Sequence, residues 1–518
     1  MERKNSLVLR NMLLKKDNTM KLLVIGLDGA SFELMNQFKS YGCLPTLSKL
    51  INDGLYYPLP STIPPHTAPG WVSSLTGVNP GSHGIYQFWD TQSPSYVGKF
   101  MGSNDVGVPF VWKILNENGY STGLINIPMT HPPKKVNGYI LTWPLSNTLR
   151  YCYPTDLIQE IAAHQGHYAS DLVTMFKGDV SYINEALKIT CKRLKTIEYL
   201  IKNKSVDFMM TVFTEIDRIS HFYWHYMINN DSVPDLRDAI KKIYIETDRV
   251  LGEILELLDE DTALMVYSDH GFEQGVLDFY VQTYLIQVGL MHLKQESDNF
   301  IFEDNWFEYK HNNEKYTIDW SKTIAYMAAP GSYGININLK DRQDQGIVEQ
   351  SEYEEVCQKV IEQLKRVINP LDNKPLFKQF VKSSSIYSGN LIHSAPDIIM
   401  IPDSWGVMVH HRITDGEIFN FNPEQKGMHS MNGMFLMYGN NIKNLNHKPP
   451  QDLRDIAPII LDLFDVPIPL YMEGSSVFSL QGEKDTSITS ECGDNDPFNY
   501  SEEEQGEIKE RLKNLGYL

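Results

Sequence analysis

The stretch Lys21-Leu22-Leu23-Val24-Ile25-Gly26-Leu27 is an apolar run of strand length, and Asp28-Gly29 follows it directly. A run without polar alternation predicts a strand that is buried on both faces, which is typical of a parallel sheet. Similar runs recur at 122–127, 207–213, 263–268 and 434–438. Stretches with helical character lie between them, including 108–118, 181–202 and 235–258. The alternation predicts an α/β layered fold around a mostly parallel sheet.

Polar side chains follow several of the predicted strands. Asp28, Asp217, Asp269 and His270 each come just after an apolar run. Ligands of parallel sheets bind beyond the carboxyl ends of the strands, so residue type and position agree. For any one of these acids, an ordinary N-cap or turn role is an equally good interpretation. The prediction of a site therefore rests on the combination.

Two of these segments have the spacing of metal ligands. Asp217 and His221 are four residues apart, which places both side chains on one face of a helix. Asp269 and His270 are adjacent, and the irregular backbone of a strand end that runs into Gly271 lets their side chains converge. Each pair alone has a simpler interpretation as a chance pair. On successive strand ends of one sheet, the two pairs together predict a metal centre.

His429 is the candidate for a further ligand. It follows Gly427 in a predicted loop that leads into the 434–438 strand. The chain has fifteen histidines, and nothing in the local sequence marks this one as a metal ligand. Taken alone, it is better interpreted as a surface or core residue. Beside Asp217 and His221 it gains weight, because it completes a set of three carboxylates and three histidines. Such a set suits two adjacent divalent ions, such as zinc or manganese.

A nucleophile is predicted in the segment 61–71. Prolines on both sides hold Thr67 stiffly just before a predicted helix over 71–75. An anion at that helix start would meet free backbone amides and the positive end of the dipole. Coordination by a metal would lower the pKa of the hydroxyl and make Thr67 a competent nucleophile. From local sequence alone a helix cap is the better interpretation, and the competing hydroxyls are those of Thr62, Ser73, Ser74 and Thr76.

Composition argues against two classes of partner. The 518 residues suffice for two or three domains, and a mean hydropathy of −0.31 with 42% hydrophobic residues indicates a soluble globular chain. The net charge of −19 argues against a nucleic-acid polymer, yet metal ions in one pocket would still attract a small anionic substrate. No stretch reaches the roughly 18 apolar residues of a membrane span, so we expect no membrane partner.

The cysteines and the N-terminal segment indicate a reducing compartment. Five scattered cysteines without a CxxC pair form neither a disulfide framework nor a thiolate metal site. The first twenty residues are polar and basic, without the apolar run of a signal peptide. We therefore expect a cytoplasmic protein with residues 1–20 as a flexible extension. Met1 and Met20 are both candidates for the start, and the oligomeric state is open.

An insertion is predicted to divide the core. Residues 274–424 are richer in Asp, Asn, Lys and Tyr, and their strands are shorter. We expect an inserted α+β subdomain there, between the two parts of a core at 21–273 and 425–480. Residues 481–518 are predicted as a polar linker followed by a helix over 501–515, whose acidic start and basic end suit the helix dipole.

The order of these motifs resembles that of the alkaline phosphatase superfamily. The chain contains, in this order, Gly26-Leu27-Asp28-Gly29, Thr67-Ala68-Pro69-(x)6-Thr76-Gly77, Asp217-(x)3-His221, Asp269-His270-Gly271 and Gly427-(x)-His429. The resemblance is nearest to the type I phosphodiesterase/nucleotide pyrophosphatase branch, and within it to cytoplasmic bacterial and archaeal predicted phosphohydrolases. It runs from about residue 21 to the C-terminus. It implies an alkaline-phosphatase-like three-layer α/β/α sandwich.

The resemblance also implies a mechanism. The two implied ligand sets are Asp217, His221 and His429 for one divalent ion, and Asp28, Asp269 and His270 for the other. Thr67 would bridge the ions and attack phosphorus, giving a covalent phospho-threonine that water then hydrolyses. The implied substrate is a small anionic molecule, including the nucleotide type, cleaved at a phosphodiester or pyrophosphate bond. Zinc is the first choice of metal and manganese the alternative.

One position departs from the pattern of the nucleotide pyrophosphatases. The third residue after their nucleophile is commonly an Asn that donates to a phosphate oxygen, whereas here it is Gly70, which offers only its backbone N–H. Such a missing donor costs about 3–4 kcal/mol of transition-state stabilisation if nothing replaces it. The candidate replacements are Asn126, Arg218 and His225. The departure keeps a phosphomonoesterase or phosphotransferase open, and a catalytically silent binding protein is the alternative from another class.

Overall fold

The computed structural model describes residues 20–144, 151–173, 176–295, 309–311, 314–440, 442, 445–478 and 500–515. The extension predicted for 1–20, apart from Met20, and the linker predicted from 481 up to 499 lie outside the described residues. The chain divides into two compact units. The first runs to Asn79 and continues over Gly102–Gln274 and His429–Gly516, and the second comprises Pro80–Met101 and Gly275–Met428.

The regular elements are as follows. The strands are β1 (Leu22–Leu27), β2 (Leu55–Pro60), β3 (Thr122–Ile125), β4 (Gly138–Leu141), β5 (Cys152–Tyr153), β6 (Phe208–Phe213), β7 (Ala263–Tyr267), β8 (Gly271–Gln274), β9 (Leu277–Tyr280), β10 (Leu293–Gln295), β11 (Tyr309–His311), β12 (Glu314–Ile318), β13 (Ala325–Tyr326), β14 (Gly334–Ile337), β15 (Phe377–Lys382), β16 (Ile398–Pro402), β17 (Val407–His410), β18 (Phe419–Asn420), β19 (Gly427–Ser430) and β20 (Asn432–Tyr438). The α-helices span Phe32–Ser40, Pro45–Asp53, Thr67–Thr76, Pro80–His83, Val111–Glu117, Leu157–Gln165, Val180–Asn203, Glu215–Ile228, Pro234–Arg237, Ala239–Leu255, Val281–Gln287, Tyr353–Leu364, Ser383–Ile386, Ile456–Leu463 and Glu502–Leu515. Short 3₁₀ helices in the described part of the chain span Ile392–Ser394 and Leu453–Asp455.

The first unit is built on an eight-stranded sheet of order β2-β20-β7-β1-β6-β3-β4-β5. The five strands from β7 to β4 run parallel, and the pairings of β20 with β7, β2 with β20 and β5 with β4 are antiparallel. All six residues of β1 are buried. Because successive residues of a strand point to opposite faces, both faces of the sheet are covered there. The predicted α/β fold with a mostly parallel sheet is confirmed.

The helices of this unit form two packed groups. One group contains Phe32–Ser40, Pro45–Asp53, Val180–Asn203, Glu215–Ile228 and Ala239–Leu255; the other contains Thr67–Thr76, Val111–Glu117 and Ile456–Leu463. The helix predicted over 235–258 is in fact two helices, since Asp238 leaves helical geometry with φ −87° and ψ 5°. Within the described part of the chain, none of the helices combines the length and the apolar character that a membrane span requires.

The second unit has its own core and sheets. Its four-stranded sheet has the order β13-β14-β16-β15 with antiparallel pairings, and β9 pairs with β17 and β18. Pro80–Met101, which the sequence analysis assigned to the core, belongs to this unit. Hydrogen bonds hold it there: Gln87 Nε2 donates to the Pro330 carbonyl at 2.7 Å, and Asn336 Nδ2 donates to the Thr91 carbonyl at 2.7 Å.

Candidate active site

Four polar side chains meet at the carboxyl edge of the parallel strands. Asp28 follows β1, Asn126 follows β3, Asp217 comes four residues after β6, and Asp269 comes two residues after β7. All four side chains are fully buried. The strands that carry them are neighbours in the sheet, so their ends lie side by side. The backbone N–H of Asp28 donates to the Phe213 carbonyl at 2.9 Å, which joins the ends of β1 and β6.

Asp217, His221 and His429 form one cluster. Asp217 and His221 lie one turn apart on the helix Glu215–Ile228, with His221 Nε2 3.4 Å from Asp217 Oδ2. His429 Nε2 lies 3.2 Å from the same oxygen and 3.0 Å from His221 Nε2. His429 Nδ1 lies 3.3 Å from the Pro65 carbonyl, which can only accept. The Nδ1 proton is therefore committed, and the Nε2 lone pair of a neutral ring faces the cluster.

Asp28, Asp269 and His270 form the second cluster. His270 Nε2 lies 3.3 Å from Asp269 Oδ2 and 3.6 Å from Asp28 Oδ1. His270 Nδ1 lies 3.0 Å from the Gly271 carbonyl, which again directs the Nε2 lone pair into the cluster. The other carboxylate oxygens are held by donors at 3.3 Å: Trp71 Nε1 donates to Asp28 Oδ2, and the Gly29 N–H donates to Asp269 Oδ1.

Burial and mutual charge set the protonation of these groups. Burial, together with repulsion from Asp269 and Asp217, raises the pKa of Asp28 well above its usual range. Burial and the charge of Asp217 do the same to the pKa of Asp269. Burial also acts to raise the pKa of Asp217, but His221 and Arg218 outweigh it and hold that pKa well below its usual range. Without a further cation, the cationic side chains of the site therefore do not neutralise all three carboxyl groups if these are ionised.

The two clusters fit divalent metal ions. Asp28 Oδ1, Asp217 Oδ2 and Asp269 Oδ2 are buried and have no hydrogen-bond partner within the described part of the chain, although imidazole nitrogens lie nearby. Leaving such oxygens unpaired costs roughly 1–3 kcal/mol each, and more when they are charged. Burial is also the main cause that lowers the pKa of His270 and of His429, which keeps both rings neutral and their lone pairs available. Ligand atoms of Asp217, His270 and His429, and of Asp28, Asp269 and His270, lie within 4.8 Å of one another.

Thr67 stands beside these clusters. Its Oγ1 lies 3.2 Å from His270 Nε2, and its side chain is fully buried. The helix that we predicted to start at residue 71 in fact starts at Thr67. His66 caps it by accepting the Ala68 N–H on Nδ1 at 3.1 Å, and Pro69 is tolerated because the first turn needs no N–H donor.

Three of the four competing hydroxyls form hydrogen bonds outside the two clusters. Thr62 Oγ1 donates to the Pro64 carbonyl at 2.9 Å, and Thr76 Oγ1 donates to the Val72 carbonyl at 2.6 Å. Ser74 Oγ donates to the Trp71 carbonyl and lies 3.0 Å from the Tyr267 hydroxyl. These bonds engage the three hydroxyls with groups outside the two clusters.

Arg218 connects the first cluster to a carboxylate that sequence analysis missed. Its guanidinium is fully buried, donates to Asp217, and donates to Asp171 Oδ2 at 3.0 Å. Trp143 Nε1 donates to the same Asp171 oxygen at 2.9 Å. Two protein carboxylates thus bind the guanidinium of Arg218, which we considered as a substrate contact. We interpret Arg218 as a positioning residue for Asp217. No motif surrounds Asp171 or Trp143, so local sequence held no signal for them.

The remaining candidates for substrate contact lie in different settings. The backbone N–H of Gly70, the only donor that this position offers, donates to the His66 carbonyl at 2.9 Å inside the helix. The backbone of Asn126 has a φ of 58°, and its Nδ2 donates to the Val212 carbonyl at 3.2 Å. Its Oδ1 is buried and has no hydrogen-bond partner among the described residues. His225 lies one turn beyond His221, with its ring centroid 3.8 Å from that of Tyr226.

Gly70 instead allows a close approach. A Cβ at this position would lie 3.2 Å from Asp269 Cβ, closer than most such contacts. We expect Gly70→Ala to displace the Thr67 helix by a few tenths of an ångström and to lower kcat/KM by about tenfold. The free energy of unfolding is expected to change by less than about 1 kcal/mol, since the alanine also gains helix propensity.

The matched control is Gly506→Ala, because a Cβ there meets nothing within 4 Å in the helix Glu502–Leu515. Steady-state kinetics and urea unfolding of both variants separate the two effects. Unchanged kcat/KM in Gly70→Ala would mean that the approach of the helix to Asp269 has no role in turnover.

The mostly parallel sheet, with buried Asp and His side chains at its carboxyl edge, defines an α/β protein with a site suited to a hydrolase that binds metal ions. The family model of type I phosphodiesterase/nucleotide pyrophosphatase matches residues 22–433. The chain therefore belongs to that family, and it is a phosphohydrolase. Among curated proteins no match was found.

Solved structures show the same fold at low identity. The alkaline phosphatase PafA superposes with a TM-score of 0.54 at 14% identity, covering 89% of this chain and 99% of that one. Phosphonoacetate hydrolase from Sinorhizobium meliloti 1021, in complex with phosphonoacetate, superposes with a TM-score of 0.52 at 13% identity, covering 85% and 94%. Human ectonucleotide pyrophosphatase/phosphodiesterase 5 covers 86% and 95% at 14% identity with a TM-score of 0.49.

Proposed function

We propose that the protein is a two-metal phosphohydrolase that cleaves a phosphodiester or pyrophosphate bond of a small anionic molecule, including nucleotide-type molecules, through a phospho-threonine. One observation carries the proposal. Three buried carboxylates each keep one oxygen that has no hydrogen-bond partner among the described residues, close to the neutral rings of His270 and His429, and Thr67 Oγ1 lies 3.2 Å from His270 Nε2. Such a set is costly in an empty site and is what divalent ions require.

The proposed chemistry assigns a task to each group. Asp217, His221 and His429 would hold one ion, and Asp28, Asp269 and His270 the other. Bound there, two divalent ions supply positive charge that lowers the pKa of the Thr67 hydroxyl and neutralises phosphoryl oxygens. Thr67 Oγ1 would lose its proton to water and form a bond to phosphorus, while the bond between phosphorus and the leaving oxygen breaks and that oxygen departs with the electron pair. Water then attacks phosphorus, breaks the Thr67 Oγ1–P bond and restores the hydroxyl.

A second candidate function follows from Gly70. This position has no side-chain donor, and its N–H is bonded to the His66 carbonyl. A site without that donor favours a phosphomonoesterase or phosphotransferase on the same scaffold over a nucleotide diesterase. Asn126, whose buried Oδ1 has no hydrogen-bond partner among the described residues, and His225 remain the proposed substrate contacts.

The test compares bis-p-nitrophenyl phosphate with p-nitrophenyl phosphate on protein reconstituted with zinc or with manganese. We expect the diester to have the higher kcat/KM, by at least about tenfold, because the proposed substrate bond is a diester or pyrophosphate. The control variant is Thr62→Ala, whose hydroxyl bonds to Pro64, and it should retain both rates. A preference for the monoester would support the second candidate. Absence of turnover of both esters would contradict both.

Metal identity, location and domain boundaries are further parts of the proposal. Zinc is the first choice and manganese the alternative, since both accept carboxylate and imidazole ligands. Elemental analysis of purified protein, without added metal, distinguishes them. A cytoplasmic location stays a prediction from the sequence, and so do a core at 21–273 and 425–480 and an insertion at 274–424, except that Pro80–Met101 belongs to the second unit.

A further inference from the structure

A cavity lies beside the catalytic centre but outside it. Its volume is about 290 Å³, and its wall includes Asp171, Tyr168 and residues of the helix Val180–Asn203. A water occupies about 30 Å³ in the liquid, so the space exceeds that of one small ion. Arg218, which is fully buried between Asp171 and Asp217, separates this cavity from the metal-ligand clusters.

Three cationic side chains line the cavity. Lys188 and Lys192 come from the helix Val180–Asn203, and Arg511 comes from the C-terminal helix Glu502–Leu515. The acidic wall residues are Glu185 and Asp171, and the charge of Asp171 is already paired with Arg218. The cavity is therefore locally positive in a chain whose net charge is −19. A positive concave site in an acidic protein attracts small anions.

Arg511 is the central group of this site. Among the described residues, no acceptor makes a hydrogen bond or ion pair with its guanidinium, although the side chain is only partly exposed. Burial lowers the pKa of Arg511, and the carboxylate of Asp171 compensates only in part. A guanidinium presents planar, paired donors that match a phosphate or carboxylate.

The other walls define the rest of the ligand. Tyr151, Tyr168 and Ile189 give part of the cavity an aromatic and apolar surface. Lys192 Nζ donates to the His167 carbonyl at 3.2 Å, which holds the ammonium at the rim. Three cations favour a dianionic phosphate over a single carboxylate, and the aromatic walls fit an organic group attached to it.

We propose that this cavity is a second binding site, separate from the catalytic centre, for a small phosphorylated molecule held by Arg511, Lys188 and Lys192. The site joins the C-terminal helix to the helix Val180–Asn203. Its occupant lies next to Asp171, which Arg218 links to the metal-ligand candidate Asp217. The proposal does not depend on which bond the enzyme cleaves.

Calorimetric titration of inorganic phosphate into the full-length, metal-reconstituted protein tests this inference. We expect two binding events, one at the metal ions and one in the cavity. Chelation should remove the first event and retain the second. Arg511→Gln and Lys188→Gln should each weaken the chelator-resistant event by at least about tenfold, because each removes a charged donor.

The matched control is Lys195→Gln, which removes one charge from an exposed position of the same helix outside the cavity. It should leave both events unchanged. If Arg511→Gln fails to fold, the exposed Lys188 provides the deciding variant. The inference is overturned if chelation abolishes all phosphate binding, or if the cavity variants bind phosphate as the wild type does. Loss of esterase activity in any arm has no bearing on this result.

Discussion

Thr67→Ala is expected to lower the turnover of phosphate esters by about 10⁴-fold or more while the protein stays folded and metal-loaded. Removing a nucleophile eliminates the covalent route, and effects of this size are typical for such residues. The side chain is buried beside His270, 3.2 Å from its Nε2, so no neighbouring hydroxyl substitutes for it. Single-turnover kinetics with the preferred nitrophenyl ester, together with metal analysis of the same sample, measures the effect.

Two variants give this result its meaning. Thr67→Ser keeps a hydroxyl at the same place and should retain activity within about tenfold of the wild type. Denatured wild-type protein quenched during turnover should carry phosphate on a threonine, whereas Thr67→Ala should carry none. Turnover by Thr67→Ala at more than about a tenth of the wild-type rate would exclude Thr67 as the nucleophile.

Removal of metal is expected to destabilise the protein, and Asp28→Asn is expected to have opposite effects with and without metal. Chelation should lower the Tm by roughly 5 °C or more, because tight ligands of the native state stabilise it by mass action.

In the metal-free protein, Asp28→Asn should raise the Tm by roughly 2 °C or more. It removes a buried carboxylate that Asp269 and Asp217 repel.

In the metal-loaded protein the same substitution should weaken binding of one ion at least about 100-fold and lower the Tm. The sign of the metal-free effect follows from the raised pKa of Asp28. A carboxyl whose pKa is higher in the folded state opposes folding increasingly as the pH rises above its unfolded value, so the gain from Asn should grow from pH 5 to pH 8. Asp53→Asn, at an exposed position, is the control. A lower Tm of metal-free Asp28→Asn at pH 8 would contradict this account.

The strands of the core were predictable because their signal is local. The apolar run that forms β1 and those that form β6 and β7 end within one residue of the predicted positions. The helix start at Thr67 was missed, because the usual capping residues are Ser, Thr, Asp and Asn, whereas here His66 is the cap. The break at Asp238 was missed as well, since the apolar period continues across it.

The chemical groups at the ends of the strands were predictable from the sequence. The i, i+4 spacing of Asp217 and His221, and the strand-end position of Asp28, are properties of a few consecutive residues. The contacts of those groups depend on the tertiary structure. The antiparallel pairing of β20 with β7 brings the segment of His429 to the sheet edge, and packing brings Asp171 to Arg218. Likewise the cavity around Arg511 depends on contacts between residues far apart in the chain, such as Tyr168 and Arg511, which no local pattern encodes.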